Sequence, residues 1–177
     1  MRDFSIHAKA TSNKNKLTFL ILFSISAMLF VTSGVFDKYK SIVGFIALLF
    51  ATAAFFVLTK YVLAEYYYDI SATDTEDPIF VVRQRVGKRS TTLCRISIRN
   101  IVKIEELSRS EYKKHTTEAG YAKYVYSPTL FAEKLIYIKV SSHYEHAELF
   151  IEGTTELAKM LSDYSAQLRA QSPENDE

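Results

Sequence analysis

The stretch "SIVGFIALLFATAAFFVLTKYVLAEYYYDIS", residues 41–71, contains the change of pattern that decides the fold. Residues 41–59 carry no charged side chain, and about 20 apolar residues in a helix cross the roughly 30 Å hydrocarbon layer of a bilayer. From Tyr66 onward apolar and polar residues alternate, which is the period of a β-strand. The chain therefore passes within a few residues from a membrane-type helix to a sheet-forming domain.

A second uncharged stretch, "LTFLILFSISAMLFVTSGVF" at residues 17–36, precedes the first. Only "DKYK" separates them, so the two predicted transmembrane helices, residues 17–36 and 41–63, form a tight antiparallel hairpin. Two other interpretations stay open. A signal peptide would have a shorter apolar core of about 7–15 residues. A soluble core would have to enclose two helices that are apolar all round, and this 177-residue chain has little other apolar material for that.

The distribution of basic residues predicts the orientation of the hairpin. Residues 1–16, expected to be an N-terminal tail, contain Arg2, Lys9, Lys14 and Lys16, whereas the connecting loop has only Lys38 and Lys40. Basic residues favour the cytoplasmic side, so both termini of this multi-pass inner-membrane protein are predicted to be cytoplasmic. Neither uncharged stretch, residues 17–36 or residues 41–59, contains an Asp, Glu, Lys, Arg or His, which favours an anchor over a transport pathway. A homo-oligomeric pore stays open.

Four tyrosines follow the second helix, and we expect them at the membrane interface because a ring with a polar tip suits the headgroup level. They are Tyr61, Tyr66, Tyr67 and Tyr68.

Residues 65–170 have the pattern of an α+β domain. The predicted strands lie at residues 66–71, 79–86, 91–98, 101–107, 121–126, 134–141 and 147–152. Residues 108–120 are polar and predict a long loop with one helical turn. Thr154 is a suitable N-cap for an amphipathic C-terminal helix, and residues 171–177 are predicted to be a disordered acidic tail. A sheet with one apolar face must be covered or closed, which predicts a β-barrel capped by that helix.

Two segments, "CRISIRNIVKIEEL" at residues 94–107 and "LIYIKV…AELFIEGTTELAKML" at residues 135–161, carry a family likeness. With the paired helices, they resemble the bacterial PH-like (bPH) membrane proteins, which place one or two membrane helices ahead of a PH-like barrel. The resemblance covers residues 66–168 and implies a pleckstrin-homology-like fold and a non-catalytic scaffold.

The segment "RQRVGKRS", residues 83–90, predicts a basic β-hairpin. Placing Val82 opposite Cys94 and Phe80 opposite Ile96 keeps apolar residues on one face, and this register requires an odd turn, most simply residues 87–89.

This register groups five basic side chains on the outer face and at the tip of the hairpin: Arg83, Arg85, Lys88, Arg89 and Arg95. Three interpretations stay open: a solvated strand face, general attraction to anionic membrane lipids, and a specific headgroup pocket. Eukaryotic PH domains that bind phosphoinositides are similar in carrying spaced basic residues around their first hairpin.

No catalytic motif is present, so we predict no enzyme activity and no cofactor, and nothing indicates nucleic-acid binding. His143 and His146 are too few ligands for zinc, so no metal site is predicted. Cys94 lies among apolar strand positions and predicts a buried structural thiol.

The expected function is therefore a membrane-anchored, non-enzymatic interaction module or scaffold that binds a protein partner or contacts anionic lipid. Tyr121, Tyr124 and Tyr126 are the predicted partner-binding surface. The alternative is a structural or assembly subunit of a membrane complex or homo-oligomer, and an enzyme acting on lipid is a third candidate.

Overall fold

The computed structural model describes residues 4–9, 13–35, 39–71, 77–142 and 146–170. The chain forms two compact units. A helical unit contains Ala10–Ala64 and Pro128–Leu130, and a sheet unit contains the N-terminal strand, Glu65–Ser127 and the chain from Phe131 onward. The predicted acidic tail, residues 171–177, lies outside the described residues, as does His143.

The helical unit is an antiparallel pair of apolar helices. Helix α1 spans Asn13–Ser33, and helix α2 spans Lys40–Val57 and continues through a π-helical segment, Leu58–Val62. Both helices are long and apolar enough to cross a membrane. Small side chains lie between them: the Ser26 hydroxyl donates a hydrogen bond to the carbonyl of Ala47 at 2.9 Å. Small residues allow helix backbones to approach closely, as in membrane helix pairs.

Asn15 closes one end of the helical unit. This residue is 1% exposed, and both the nitrogen and the oxygen of its side-chain amide form hydrogen bonds. The nitrogen donates to the carbonyls of Tyr61 at 3.0 Å and Pro128 at 3.1 Å, and the oxygen accepts from the backbone N–H of Leu130 at 3.2 Å. A buried amide needs such partners, since an unsatisfied polar group is costly.

The sheet unit contains two four-stranded sheets with the strand orders β1-β2-β3-β4 and β5-β7-β8-β6. The first sheet consists of β1 Phe4–Lys9, β2 Ala64–Ser71, β3 Ile79–Val86 and β4 Arg89–Ser97. The second consists of β5 Ile101–Ser108, β6 Ala122–Tyr126, β7 Lys134–Ser141 and β8 His146–Ile151. Helix α3 spans Arg109–Lys114, and helix α4 spans Thr155–Ala170. The predicted strands between residues 66 and 152 are all confirmed, each to within two residues at both ends.

Strand β1 is a feature that the sequence analysis missed, because it treated residues 1–16 as a tail. This strand precedes α1 in the chain yet pairs antiparallel with β2, which follows α2. The register runs from Phe4 opposite Ile70 to Lys9 opposite Glu65. The helical hairpin is therefore inserted, along the chain, between two neighbouring strands of one sheet.

The predicted closed barrel is wrong, because no strand pairing joins β4 to β6 within the described residues. Strand β6 pairs in parallel with β8 and becomes the outer strand of the second sheet. The core contains fully buried side chains from both sheets and from α4, among them Phe80, Ile138, Leu149 and Leu157. Helix α4 also contacts the start of β5, where Ser165 and Arg169 donate to the carbonyl of Ile101.

Candidate functional site

The β3–β4 hairpin has a different turn from the predicted one. The pair Val86 and Arg89 encloses a two-residue turn, in which Gly87 has a φ of +61°. A positive φ at this position suits the turns that match the twist of hairpin strands, and glycine adopts it without strain. The three-residue turn predicted from the sequence is therefore wrong.

The predicted core register of this hairpin is nevertheless confirmed, with Val82 opposite Cys94 and Phe80 opposite Ile96. A register shift lies between Val82 and Arg83, whose partner is Thr92. Leu93 is thus an extra residue in β4, a β-bulge that compensates for the even turn.

Residues 83–92 form a basic arm, which contains no acidic residue and is exposed except at the half-buried Gln84. The register places Arg83, Arg85 and Arg95 on one face, as predicted. The Arg83 Nε atom lies 2.6 Å from Asp69 Oδ2, and this hydrogen bond raises the pKa of Arg83. Among the described residues, no acidic side chain pairs with Arg85, Lys88 or Arg89. The unpaired charge of the arm is therefore near its tip.

The basic arm lies at one particular end of the first sheet. Gln84 Nε2 donates to the hydroxyl of Tyr66 at 3.1 Å, near the start of β2, whereas Arg83 contacts Asp69 further along that strand. Strand β3 thus runs toward the start of β2. The pair Lys9 and Glu65, where β1 ends and β2 begins, is at the same end.

The predicted membrane-interface tyrosines divide into two groups. Tyr66 and Tyr68 are 1% and 0% exposed, so their assignment to the interface is wrong. They occupy alternate positions of β2 that face the core, and the Tyr68 hydroxyl donates to the carbonyl of Tyr126 at 2.7 Å. Burial raises the pKa of Tyr68. Tyr61 and Tyr67 are half-buried, and their place at an interface stays a prediction.

A cleft of about 370 Å³ lies where the barrel fails to close, between β4 and β6. We call it the seam groove. The Tyr126 hydroxyl reaches the carbonyl of Leu93 at 3.5 Å and bridges the two strands. The groove is lined by Leu93, Cys94, Arg95, Ile96, Ser97, Asn100, Ala122, Tyr124, Tyr126, Val140, Ser142, His146, Ala147 and Leu149.

The seam groove brings together residues that the sequence analysis had assigned to separate features. Tyr124 and Tyr126 were predicted as a partner surface, and both line it, whereas Tyr121 does not. Arg95 was grouped with the basic hairpin and lines the groove as well. Cys94 is half-buried in the groove wall rather than buried as the sequence had predicted.

Glu148 is a buried carboxylate that the sequence analysis did not single out. It is 1% exposed, and its oxygens lie 2.9 Å from His115 Nε2, 3.2 Å from the backbone nitrogen of Glu118 and 3.3 Å from the Tyr137 hydroxyl. Burial acts to raise the pKa of Glu148, but the hydrogen bonds from His115 and these other donors outweigh it and leave that pKa below its ordinary value. Burial and Glu148 raise the pKa of Tyr137 to about 12.

This cluster holds the loop after α3 against the outer face of the second sheet. The His115 ring packs on Tyr137 and Phe150, with centroid distances of 5.0 and 5.3 Å. The signal in the sequence was a single glutamate in the middle of an otherwise apolar strand. Two of its partners, His115 and Glu118, lie about 30 residues away in a polar loop, which no local pattern connects to it.

His146 contacts Ser141 through Nδ1 at 3.1 Å. Across the described residues, no group of three potential metal ligands comes together.

No family model, no curated protein and no solved structure matches this chain. The fold itself defines the class: an α+β domain of two sheets and a C-terminal helix, with a long apolar helical hairpin inserted between its first two strands.

Proposed function

We propose that this protein is a non-enzymatic interaction module of PH-like plan, anchored in the cytoplasmic membrane by α1 and α2. Its basic arm contacts anionic lipid headgroups. The exposure of the helices supports the anchor: Met28, Phe30 and Val31 are 71%, 71% and 73% exposed, and large apolar side chains on α2 are exposed as well. Contiguous apolar surface of this extent suits lipid and is rare on soluble monomers.

The pairing of β1 with β2 supports the predicted sidedness. Because the residues on both sides of the helical hairpin belong to one sheet, two membrane crossings return the chain to the side from which it left. The basic residues before α1 favour the cytoplasm for that side.

The position of the basic arm is the observation that carries the proposal. The arm is at the end of the first sheet where β1 ends and β2 begins, and the two helices follow and precede those points in the chain. The arm is therefore at the end of the first sheet to which the chain joins the two helices. Basic residues near an anionic surface contribute about 1 kcal/mol each, so Arg85, Lys88 and Arg89 contribute roughly 3 kcal/mol toward one orientation. The charge of Arg83 is offset by Asp69.

The chain contains no tryptophan, which permits a direct test. Val86 at the arm tip is 38% exposed, and Val102 in β5, which is 49% exposed, is the matched control. The full chain carrying Val86→Trp is placed in nanodiscs with brominated phosphatidylcholine, with or without phosphatidylglycerol. We expect lipid quenching of the tryptophan only in the anionic discs, and none for Val102→Trp.

Charge reversal of the arm completes the test. Adding Arg85→Glu, Lys88→Glu and Arg89→Glu to the Val86→Trp chain should abolish quenching in anionic discs, because the attraction becomes repulsion. Equal quenching before and after reversal, or in neutral and anionic discs alike, would remove the arm from lipid contact and refute the proposal.

A further inference from the structure

We propose that the seam groove is a strand-addition site that takes an acidic, extended segment of a partner protein. This inference rests on the proposed function, an interaction module, and names the chemistry of its partner. It uses a surface distinct from the tip of the basic arm.

The two walls of the groove are the outer strands of two sheets. Within the described chain, β4 pairs only with β3, and its consecutive residues Leu93–Ser97 line the cleft, so β4 presents its outer backbone edge there. From β6 only alternate residues line the cleft, on the same face as Leu149 and Ala147, so β6 contributes side chains to the opposite wall. An unpaired edge is a template for another strand, and peptides that add to such an edge bind through main-chain hydrogen bonds. The β4 wall contributes residues 93–97, a length of roughly 17 Å, which matches a segment of about five residues.

The groove is preformed rather than created by separation of the sheets. Tyr126 fixes one end, since its hydroxyl reaches Leu93 in β4 and its carbonyl accepts from the buried Tyr68. Apolar side chains line the base, including Ile96 at 8% and Leu149 at 0% exposure. The rings of Tyr124 and Tyr126 stack at 6.1 Å with an interplanar angle of 7°. These parallel rings form a flat surface against which alternate side chains of an added strand can pack.

The charged side chains that line the groove indicate which residue types the added partner segment should contain. Arg95 is exposed at the groove wall and His146 lines it too, and the lining residues that the structure describes include no aspartate or glutamate. A carboxylate at this point has Arg95 as a cationic partner. Alternating acidic and β-branched residues satisfy both the apolar base and Arg95.

Cys94 provides a native reporter, because it is the only cysteine of the chain and lines the groove. The full chain in phosphatidylcholine nanodiscs is alkylated with N-ethylmaleimide in the presence of acetyl-Glu-Val-Glu-Val-Glu-amide. We expect saturable slowing of Cys94 alkylation. The same peptide with N-methylated amides and the lysine analogue should give no protection. Absence of protection by the acidic peptide, or equal protection by the N-methylated one, would overturn the proposal.

Variants separate this site from the lipid contact. Arg95→Glu should weaken peptide protection roughly ten-fold, because a like charge replaces the partner of the carboxylate. The matched control is Arg99→Glu, because Arg99 is also exposed, pairs with Asp77 and lies outside the groove lining. An Arg95→Glu variant that binds as tightly as the Arg99→Glu control would refute the role of Arg95.

Two further chains distinguish the remaining outcomes. The arm variant with glutamate at 85, 88 and 89 should keep full peptide protection, so failure of the lipid contact and failure of the groove are independent results. A chain that ends at Ala170 tests the acidic residues 171–177 as a rival occupant. If peptide protection occurs only after their removal, the site belongs to the chain's own tail, and the assignment to a partner protein is wrong.

Discussion

Excision of the helical hairpin tests the most consequential feature of the topology. Since Lys9 and Glu65 are the last pair of the β1–β2 ladder, an Asn-Gly turn can join them directly in place of Ala10–Ala64. Asn-Gly is a favoured two-residue hairpin turn. We expect this joined chain to be a soluble, folded monomer. The comparison chain begins at Glu65 and therefore lacks β1.

The structure gives the size of the expected difference. Replacing a connection of about 55 residues by two lowers the entropic cost of loop closure by up to about 3 kcal/mol. The β1–β2 register from Phe4 to Lys9 corresponds to about six ladder hydrogen bonds, each worth roughly 1 kcal/mol. Ordering the strand offsets part of that gain, so the chain without β1 should be less stable by a few kcal/mol. It also exposes the edge of β2, which favours aggregation.

Urea unfolding followed by far-UV circular dichroism, together with size-exclusion chromatography, measures both effects. We expect a cooperative transition and a monomer peak for the joined chain, and a lower midpoint or aggregation for the chain that begins at Glu65. Equal midpoints would show that β1 contributes nothing to the sheet. An unfolded joined chain would show that the sheet unit depends on the helices, and either result would refute this reasoning.

Three single substitutions test other contacts. Because the folded state lowers the pKa of Glu148, its stabilisation is present above the ordinary value of 4.5 and is lost as pH falls through the folded pKa. Glu148→Gln should therefore reduce the loss of unfolding free energy that occurs as pH falls below about 4.5, measured by urea titrations at a series of pH values. An unchanged pH dependence would contradict this cause. Gly153→Ala would place a Cβ 2.8 Å from Ile136 Cδ1, so we expect a loss of about 1–3 kcal/mol, and wild-type stability would show that the core adapts freely. Asn15→Ala leaves two carbonyls and one N–H unsatisfied and should lower the melting temperature in detergent by several degrees. The control Thr18→Ala, which removes only a local hydrogen bond to the carbonyl of Lys14, should not, and equal melting temperatures for the two variants would count against the buried amide.

The periodic parts of the fold were predictable from the sequence. Strands β3 and β7 begin and end at the predicted residues, and Thr154 accepts from the backbone N–H of Leu157 as an N-cap. The polar loop contains α3, whose Ser108 and Glu111 form a capping box. These features follow from alternation, helical spacing and short-range hydrogen bonds, which a few neighbouring residues specify.

The candidate sites were only partly predictable. The basic residues of the arm were identified, but the ion pair of Arg83 with Asp69 depends on the contact between β2 and β3. Arg95 and Tyr124 were assigned to different surfaces, although they line the same groove. Their meeting depends on β6 pairing with β8 rather than closing on β4, and the sequence of β6 is compatible with either arrangement.

By itself, the sequence determined two apolar helices, the positions of strands β2 to β8, the C-terminal helix and a basic hairpin, because each is encoded by residues close together in the chain. Only the tertiary structure decided that β1 pairs with β2 across the helices, that the two sheets leave a groove, and that Glu148 is buried with its partners. These outcomes depend on free energies of contact between residues far apart in the chain, and no local pattern of side chains carries that information.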